Sequence, residues 1–411
     1  MAAELETNRV DSMWKRWERA KELLPGGTVT MSKVPNREIR PHEPARIVRG
    51  EGCRVYDEAG RCFIDYRNGL GPMTLGYANP RINQAVIRQL QLGTLYGHPS
   101  PLEAELAEKL VARIPCAEQV RYLKTGGEAM AAAIRLARAY TKRPAIISCG
   151  YHGWVNNTAG GMEKGVPPEV AALTRAVPWG DIAVFEAAAR DLGEERVAAI
   201  TLAMPYAEIY AGHPLYGQLR ALADRIGALL IFDEIVTGFR LRIGGAGEFF
   251  GVKPDLAVFS KGIAAGFPLS VICGRADVMA LAATIPVSST FAGETIALAA
   301  ALETLAIYEE HDVIGHLWAR GQQLMDGLNE IFRKHDFPAE AKGLAPCSSI
   351  VMLEPGSRGN ALLEAFFDAC YEHGVSFYRV NYPNFAHTEA DIAETLERCD
   401  RALAALKGRV V

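Results

Sequence analysis

Three ionisable side chains follow two short apolar runs near the middle of the chain. The run 229–232, Leu-Leu-Ile-Phe, is followed by Asp233 and Glu234, and the run 256–259 is followed by Ser260 and Lys261. Apolar runs of this length are typical of buried strands, and ligands bind at strand ends in open α/β sheets. The spacing therefore predicts a site to which two strands each deliver an ionisable group.

These residues also have ordinary structural explanations. A lysine is usually a solvated surface group, and an Asp-Glu pair after a strand usually forms a turn or a helix N-cap. Their combination favours another hypothesis. Near Gly262 and Gly266, desolvation lowers the pKa of Lys261, and a free amine can form a Schiff base. A buried Asp233 needs a partner such as a protonated ring nitrogen, and these are the two protein groups that a pyridoxal phosphate enzyme needs most.

Two segments around these residues resemble a known family. Residues 230–240, LIFDEIVTGFR, and 259–268, FSKGIAAGFP, are similar to the class III, fold-type I aminotransferases, and most similar to their glutamate-1-semialdehyde 2,1-aminomutase branch. The resemblance implies pyridoxal 5'-phosphate as cofactor, with Lys261 as the Schiff-base lysine and Asp233 as the partner of the pyridinium nitrogen. It also implies an α/β fold, in which a large domain has a mostly parallel seven-stranded sheet between helices and a smaller α/β domain comes from both termini.

A glycine turn opens a predicted helix at residues 128–140. Thr125, Gly126 and Gly127 follow a predicted strand, and a helix N-terminus attracts anions through its N–H groups and its dipole. Most Gly-Gly turns bind nothing, but this turn resembles the family's phosphate loop, with Gly127 where the family usually has Thr. The resemblance further implies that Thr290 reaches the phosphate of the neighbouring subunit, so we expect a homodimer with active sites at its interface.

An aromatic residue and a histidine follow the predicted strand 146–149. Tyr151 and His152 are similar to the family's aromatic platform, in which the tyrosine ring lies over the cofactor ring. Ile235 matches the branched residue that backs the opposite ring face. For His152 we favour a cofactor-binding or structural role over a general-base role, because Lys261 can move the proton itself once it is displaced from the Schiff base.

Besides Gly127, three segments depart from the family pattern. Lys33 stands where the aminomutases have an arginine that holds the substrate carboxylate, and a lysine offers a point charge instead of a planar fork. Met204-Pro205 replaces a common Glu-Pro, and Glu294-Thr295 replaces a common Asn-Pro. The loss of the arginine and of the glutamate favours an acceptor without a carboxylate there, such as a sugar-like or other aldehyde or ketone.

Composition excludes several classes of protein. The 411 residues are 49% hydrophobic and carry a formal net charge of −4, so no basic footprint for nucleic acid is present. The eight cysteines are scattered without metal-ligand spacing, which predicts reduced thiols and no metal site. The first ten residues include acidic side chains and no apolar core, and no apolar run approaches a membrane span. We therefore expect a cytoplasmic protein that binds no membrane.

Alternating strand and helix patterns predict an α/β architecture. The expected parts are an N-terminal segment of the small domain at 1–66, a large cofactor-binding domain at 67–308, and the C-terminal small domain at 309–411. An amphipathic helix is expected at 11–24, with two tryptophans and Leu24 on or near one face.

Three functions compete on these residues. An aminotransferase moves an amino group from a donor, such as glutamate, to an aldehyde or ketone by ping-pong chemistry. A glutamate-1-semialdehyde-type aminomutase or an epimerase would use the same groups. A non-catalytic protein on this fold or a nucleotide-binding domain is the third hypothesis, but the turn at Gly126-Gly127 lacks G-x-G-x-x-G spacing, and the presence of Lys261 and Asp233 argues against a dead site.

Overall fold

The computed structural model describes residues 2–155 and 164–407. Strands within these ranges are β1 (Ile47–Glu51), β2 (Arg54–Asp57), β3 (Cys62–Asp65), β4 (Gln119–Leu123), β5 (Ala145–Cys149), β6 (Thr174–Val177), β7 (Val197–Ala203), β8 (Leu229–Asp233), β9 (Leu256–Phe259), β10 (Ser270–Gly274), β11 (Ala339–Lys342), β12 (Ser348–Met352), β13 (Val375–Ser376) and β14 (Val380–Asn381). The α-helices are α1 (Ala2–Leu23), α2 (Pro80–Leu92), α3 (Pro101–Arg113), α4 (Gly126–Thr141), α5 (Pro168–Ala171), α6 (Ile182–Leu192), α7 (Leu215–Ile226), α8 (Gly245–Phe250), α9 (Ala276–Met279), α10 (Thr295–Glu310), α11 (Val313–Lys334), α12 (Ser357–Glu372) and α13 (Glu389–Lys407).

The chain divides into two compact units. Unit 1 consists of Met1–Leu70, Leu75–Asn79 and His316–Val411, and unit 2 consists of Gly71–Thr74 and Pro80–Gly315. None of the helices within 2–155 and 164–407 combines the length and the apolar content needed to cross a lipid bilayer.

Unit 2 is built on a seven-stranded sheet in the order β4-β10-β9-β8-β7-β5-β6. Neighbouring strands from β9 to β6 pair in parallel, whereas β10 runs antiparallel to both β9 and β4. Every residue of β5, β8, β9 and β10 is buried, as expected for strands covered on both faces. The α/β class and the mostly parallel seven-stranded sheet that the sequence predicted are therefore confirmed.

Helix α4 packs its alanine-rich face against the centre of this sheet. Ala129, Ala133 and Leu136 belong to one buried cluster with Ile231 of β8 and Val258 of β9. Small side chains let the helix approach the sheet closely, and they fix the height of the helix N-terminus above the strand ends. The packing thus sets the distance between the glycine turn and the ionisable residues after β8 and β9.

Unit 1 contains two smaller sheets in the orders β1-β2-β3-β13 and β11-β12-β14, within one apolar core that includes α12 and α13. Tyr66 lies fully buried in this core, where its hydroxyl group is 2.8 Å from Oγ1 of Thr395. In α1, Trp14 and Trp17 are buried. The helix begins at Ala2 and ends at Leu23, whereas 11–24 was expected, and the side chain of Leu24 is exposed.

The second carboxylate after β8 has a structural environment. Glu234 is buried, and its Oε2 accepts a hydrogen bond from the backbone N–H of Ala246 at 2.7 Å. Oε1 accepts from the N–H of Gly247 at 2.8 Å, and the hydroxyl group of Thr237 donates to Oε2. Burial raises the pKa of Glu234 to about 7, although these hydrogen bonds favour the charged form. Glu234 therefore ties the segment after β8 to the start of α8.

We expect this carboxyl group to make stability depend on pH. Its pKa in the folded state lies above the ordinary value of 4.5, so its contribution is greatest below pH 4.5 and is lost as the pH rises through about 7. Relative to Glu234→Gln, which cannot ionise, the wild-type free energy of unfolding should fall by about 3 kcal/mol between pH 4.5 and pH 8. Urea unfolding of both proteins across this range measures the difference. A difference that does not change with pH would show that Glu234 is ionised throughout.

Candidate active site

Asp233 and Lys261 lie at the carboxyl ends of two adjacent parallel strands. Asp233 is the last residue of β8 and pairs in register with Val258 of β9, three residues before Lys261. Both side chains line a cavity of 860 Å³ in unit 2. A cavity of this size is in the range of cofactor and substrate sites, so the two strand ends deliver an acid and an amine to one open cavity.

The backbone at Lys261 is held in an unusual conformation. Its φ angle is +47°, in the left-handed region that residues with a side chain rarely adopt, and it begins the 3₁₀ turn Lys261–Ala264. The preceding residue is fixed by two hydrogen bonds: the hydroxyl of Ser260 donates to the carbonyl of Leu269 at 2.9 Å and accepts from the hydroxyl of Ser270 at 2.9 Å. Such strain persists where surrounding contacts over-determine the geometry, which is common at functional residues.

Three effects set the charge of the Lys261 amine. Burial, the largest effect, lowers its pKa from 10.5 to about 8, because the ammonium form loses solvation in the cavity. The negative charge of Asp233 raises the pKa, and the buried guanidinium of Arg240 lowers it. Burial wins, so a substantial fraction of the amine is neutral and nucleophilic near pH 8.

Asp233 is oriented by two hydrogen bonds. Its Oδ2 is 2.8 Å from Nδ1 of His152, and its Oδ1 accepts from the backbone N–H of Ile235 at 3.1 Å. Because a carboxylate only accepts, the imidazole carries its proton on Nδ1 and donates it to Asp233. His152 is buried and follows β5, so the contact fixes the carboxylate from two strands away. This geometry suits a histidine that supports Asp233, and its role toward the cofactor stays a prediction.

The glycine turn forms the start of α4 and opens onto the same cavity. Thr125 is the N-cap: its side chain accepts from the N–H of Glu128 at 3.4 Å, while Oε2 of Glu128 accepts from the N–H of Thr125 at 3.4 Å. This capping box orders the first turn of a helix whose N-terminus carries a partial positive charge. Thr125, Gly126 and Gly127 all line the cavity, so the turn is placed to face an anionic group.

Close backbone approaches explain the glycines. A Cβ atom at Gly126 would overlap the side chain of Ile235, and one at Gly153, whose φ is +91°, would overlap the backbone of Gly127. The segments after β4, β5 and β8 therefore converge within van der Waals distance. Only residues without a side chain permit this approach.

The cavity brings together most of the residues that the sequence singled out. Tyr151, Ile235 and the glycine turn line the cavity. His152 does not line it, but its imidazole contacts Asp233, which does. Thr290 is exposed in the loop before α10 and is not among the residues that line the cavity within unit 2.

Sequence reasoning missed four residues of the site. Glu128 could have been found, because Thr125-x-x-Glu128 is a capping-box pattern. Arg240 carries no sequence signal of burial, and the contributions of Trp179 and Tyr206 to the cavity depend on loops after β6 and β7 whose course the sequence does not give.

These groups fit pyridoxal phosphate. The start of α4 suits its phosphate, Asp233 suits a protonated ring nitrogen, and the neutral amine of Lys261 suits its aldehyde. The glycine positions leave a cradle that Cβ atoms would fill. No group of His, Cys, Asp or Glu side chains suited to a metal ion occurs within residues 2–155 and 164–407.

Comparisons with known proteins agree with this geometry. Residues 37–403 match the family model for class III aminotransferases. The glutamate-1-semialdehyde 2,1-aminomutase of Methanothrix thermoacetophila is 35% identical, with 95% of this chain and 96% of that protein covered. The corresponding protein of Archaeoglobus fulgidus is 33% identical, with 96% and 100% covered.

Solved structures give the same result. The FumI protein of Sphingopyxis sp. MTA144, in its PLP internal aldimine form, has a TM-score of 0.88 and 28% identity, and the match covers 98% of this chain and 97% of that one. An omega-transaminase from Sphaerobacter thermophilus has a TM-score of 0.84 and 26% identity, covering 96% and 98%. The chain is thus an enzyme of the pyridoxal-phosphate-dependent fold-type I class, and it belongs to the class III aminotransferase family.

Proposed function

We propose that this enzyme transfers an amino group from a donor, such as the amino acid glutamate, to a separate aldehyde or ketone. The observation that carries the proposal is the meeting of Lys261, Asp233 and the turn Thr125–Gly127 in one 860 Å³ cavity. When bound, pyridoxal phosphate supplies a carbonyl carbon that captures amines and a ring that takes up the charge left by proton loss.

Lys261 would hold the aldehyde of the cofactor through its amine, and once released it would act as the base. Its Nζ is neutral near pH 8 because burial lowers the amine pKa, so it would take the proton from the amine-bearing carbon of the donor and pass it to the bound cofactor within the same half-reaction. In the second half, the same Nζ would carry a proton in the opposite direction, to the acceptor carbon. The confined backbone at Ser260 and Lys261 fixes the point from which this side chain enters the cavity.

Asp233 and His152 act together on the ring nitrogen of the cofactor. Asp233 holds the ring nitrogen in its protonated form, and the Nδ1–H of His152 keeps the carboxylate in the required orientation. Tyr151 and Ile235, which both line the cavity, would hold the cofactor ring between them, as the resemblance implies.

The phosphate group is assigned to the start of α4 and to a neighbouring subunit. Thr125, Gly126 and Gly127 bind it through the helix N-terminus, and Thr290 is assigned to the phosphate of the partner in a homodimer.

The acceptor is assigned as a carbonyl compound without a carboxylate group. The evidence is the lining of the cavity in unit 2. The charged side chains among the described residues that line it are Glu128, Asp233 and Lys261, so this wall offers no second cation to a substrate carboxylate. Met204, at the position where the family commonly has a glutamate, and Tyr206, two residues further on, line this wall instead. Aromatic and thioether surfaces favour an apolar or ring-shaped substrate face, such as that of a sugar-like aldehyde or ketone.

A second candidate function is an intramolecular amine shift. The observation that favours it is the set of relatives named glutamate-1-semialdehyde 2,1-aminomutase, which align over nearly the whole chain. An aminomutase, or an epimerase, would use Lys261 and Asp233 in the same roles but would consume no external donor.

The quaternary structure, domain and compartment assignments extend this proposal. Unit 1 serves as the small domain and unit 2 as the large cofactor domain, close to the boundaries expected at residues 66 and 308. Seven of the eight cysteine side chains, all within the described residues, are buried, which suits a protein of the reducing cytoplasm.

Exposed apolar side chains support the homodimer. Ile87, Leu90 and Leu92 of α2 are 54%, 52% and 72% exposed, and Leu95 and Tyr96 in the following loop are also exposed. Apolar side chains concentrated in this way are typical of a protein–protein interface.

The reaction itself is tested by titrating the cofactor-loaded protein with glutamate, other amino acids and simple amines. A true donor should bleach the visible absorbance and release one equivalent of the matching keto product, because the amino group stays on the enzyme. Asp233→Asn should retain cofactor but bleach about a hundredfold more slowly, since the ring charge loses its partner. Lys261→Ala is the control and should give no donor-dependent turnover. Absorbance that no donor changes would favour the intramolecular amine shift.

The rate at which the cofactor-free protein captures pyridoxal phosphate should follow the ionisation of Lys261. Burial lowers its pKa to about 8, so the rate should rise with pH and level off above pH 8, where the amine is already neutral. Stopped-flow absorbance between pH 6 and pH 10.5 measures the profile. A rate that still increases near pH 10 would mean that Lys261 behaves as a solvated lysine.

Charge placed on the apolar face of α2 should separate the homodimer. The double variant Ile87→Glu, Leu90→Glu puts two carboxylates where each subunit would bury apolar surface, so sedimentation velocity should detect monomers. Leu353→Glu is the matched control, because Leu353 is 62% exposed and lies outside this face. A double variant that sediments like the wild type would exclude this surface as the interface.

A further inference from the structure

An ion pair joins the glycine turn to the start of another helix. Nζ of Lys124, the residue between β4 and Thr125, lies 3.0 Å from Oε2 of Glu294, which precedes α10. Their side chains are only 14% and 19% exposed. A pair this enclosed is weakly screened by solvent, and removing one partner leaves the other charge without compensation.

Glu294 is itself held rigidly. As the N-cap of α10, it accepts from the N–H of Ile296 through Oε1 at 2.7 Å and from the N–H of Ala297 through Oε2 at 3.2 Å. Both bonds use donors that a helix leaves unpaired at its N-terminus. Lys124 is therefore attached to a carboxylate that cannot move without uncapping α10.

The next residue fixes the start of α10 to the end of α2. Thr295 is completely buried, and its backbone N–H donates to the carbonyl of Thr94 at 2.9 Å. Its hydroxyl lies 2.9 Å from the carbonyl oxygen of Gly93 and accepts from the side-chain amide of Gln89 at 3.1 Å. The anchor for Lys124 is thus part of a hydrogen-bonded network that involves two long helices.

The main chain of Lys124, the member of the pair next to the glycine turn, is also held in place. Oε2 of Glu128 accepts from the backbone N–H of Lys124 at 3.0 Å, so Glu128 fixes the main chain of Lys124 while Glu294 fixes its side chain. Two carboxylates therefore flank a turn that faces an anion. The positive charge of Lys124 offsets the negative charge of Glu294, which would otherwise repel a phosphate bound at the turn.

We propose that the Lys124–Glu294 pair is a positioning device, which holds the turn Thr125–Gly127 in the form that accepts the cofactor phosphate. The inference rests on the proposed function, since it takes that turn as the phosphate site. Neither Lys124 nor Glu294 is among the described residues that line the 860 Å³ cavity. They act through the turn, and Thr295 supports them by fixing α10.

Positioning and simple electrostatics predict opposite effects for Glu294→Gln. If Glu294 acted only by its charge, removing a negative charge near an anion site would tighten phosphate binding. If it anchors Lys124, its removal releases the turn and binding weakens. Lys124→Met leaves the hydrogen bonds of Glu294 to α10 in place, so this variant separates loss of the pair from loss of the helix cap.

The test measures the dissociation constants of pyridoxal phosphate and of inorganic phosphate for the cofactor-free full-length protein. Lys124→Met and Glu294→Gln should each weaken both ligands about tenfold, and the double variant should resemble the single ones, because one interaction is lost in all three. Glu303→Gln is the matched control: Glu303 lies on α10, is also 19% exposed, and pairs with Arg81 at 2.7 Å. It should leave both constants within about twofold of the wild type. Tighter binding by Glu294→Gln, or additive effects in the double variant, would overturn the proposal.

Amide hydrogen exchange of the cofactor-free protein gives a readout that needs no ligand. Residues 125–128 should exchange faster in Lys124→Met than in the wild type, and Glu303→Gln should leave them unchanged. Unchanged exchange in Lys124→Met would overturn the positioning role whether or not the cofactor binds. A wild-type protein that binds no pyridoxal phosphate would overturn the proposed function instead, and the exchange data would still report whether the pair orders the turn.

Discussion

The parallel pairing of β8 with β9 is the constraint on which the site depends. It brings a carboxylate and an amine to adjacent strand ends, in a cavity where neither is fully solvated. Burial opposes the charge on Lys261 and the charge of Asp233 supports it, and the pKa of about 8 shows that burial is the larger effect. Had Asp233 pointed directly at Lys261 as an ion pair, the amine would have stayed protonated. Its hydrogen bonds to His152 and to the backbone of Ile235 instead commit the carboxylate to another direction.

The fold class could be predicted because its signal is local. Runs such as Leu-Leu-Ile-Phe in β8 are apolar on both faces, which is typical of a central strand in a parallel sheet. The same property gives no information about strand direction. The apolar run of β10 would look the same in a parallel pair, but β10 pairs antiparallel with β9. β6 was missed for the opposite reason: the residues of Thr174–Val177 lie at the sheet edge, none of them is fully buried, and they leave no apolar run.

The site could be predicted in part. Asp233, Lys261 and the turn at Gly126 carry short-range patterns, and the structure brings all three to one cavity. Contacts between residues far apart in the sequence leave no such short-range pattern. His152 and Asp233 are 81 residues apart, and their 2.8 Å contact depends on the strand order β8-β7-β5, which the sequence does not state. The assignment of Thr290 to a neighbouring subunit stays a prediction, because it concerns a second chain.

The departures from the family pattern acquire a physical meaning when they are considered together. Gly127 removes a side-chain hydroxyl from the turn, which lowers its own capacity to hold a phosphate. Glu294, in place of a shorter amide, has two oxygens that cap α10 and also reach Lys124. Thr295, in place of a proline, supplies an N–H and a hydroxyl to the end of α2, neither of which proline has. A turn without a hydroxyl at position 127 is thus held from outside, through Lys124, by the residues at 294 and 295.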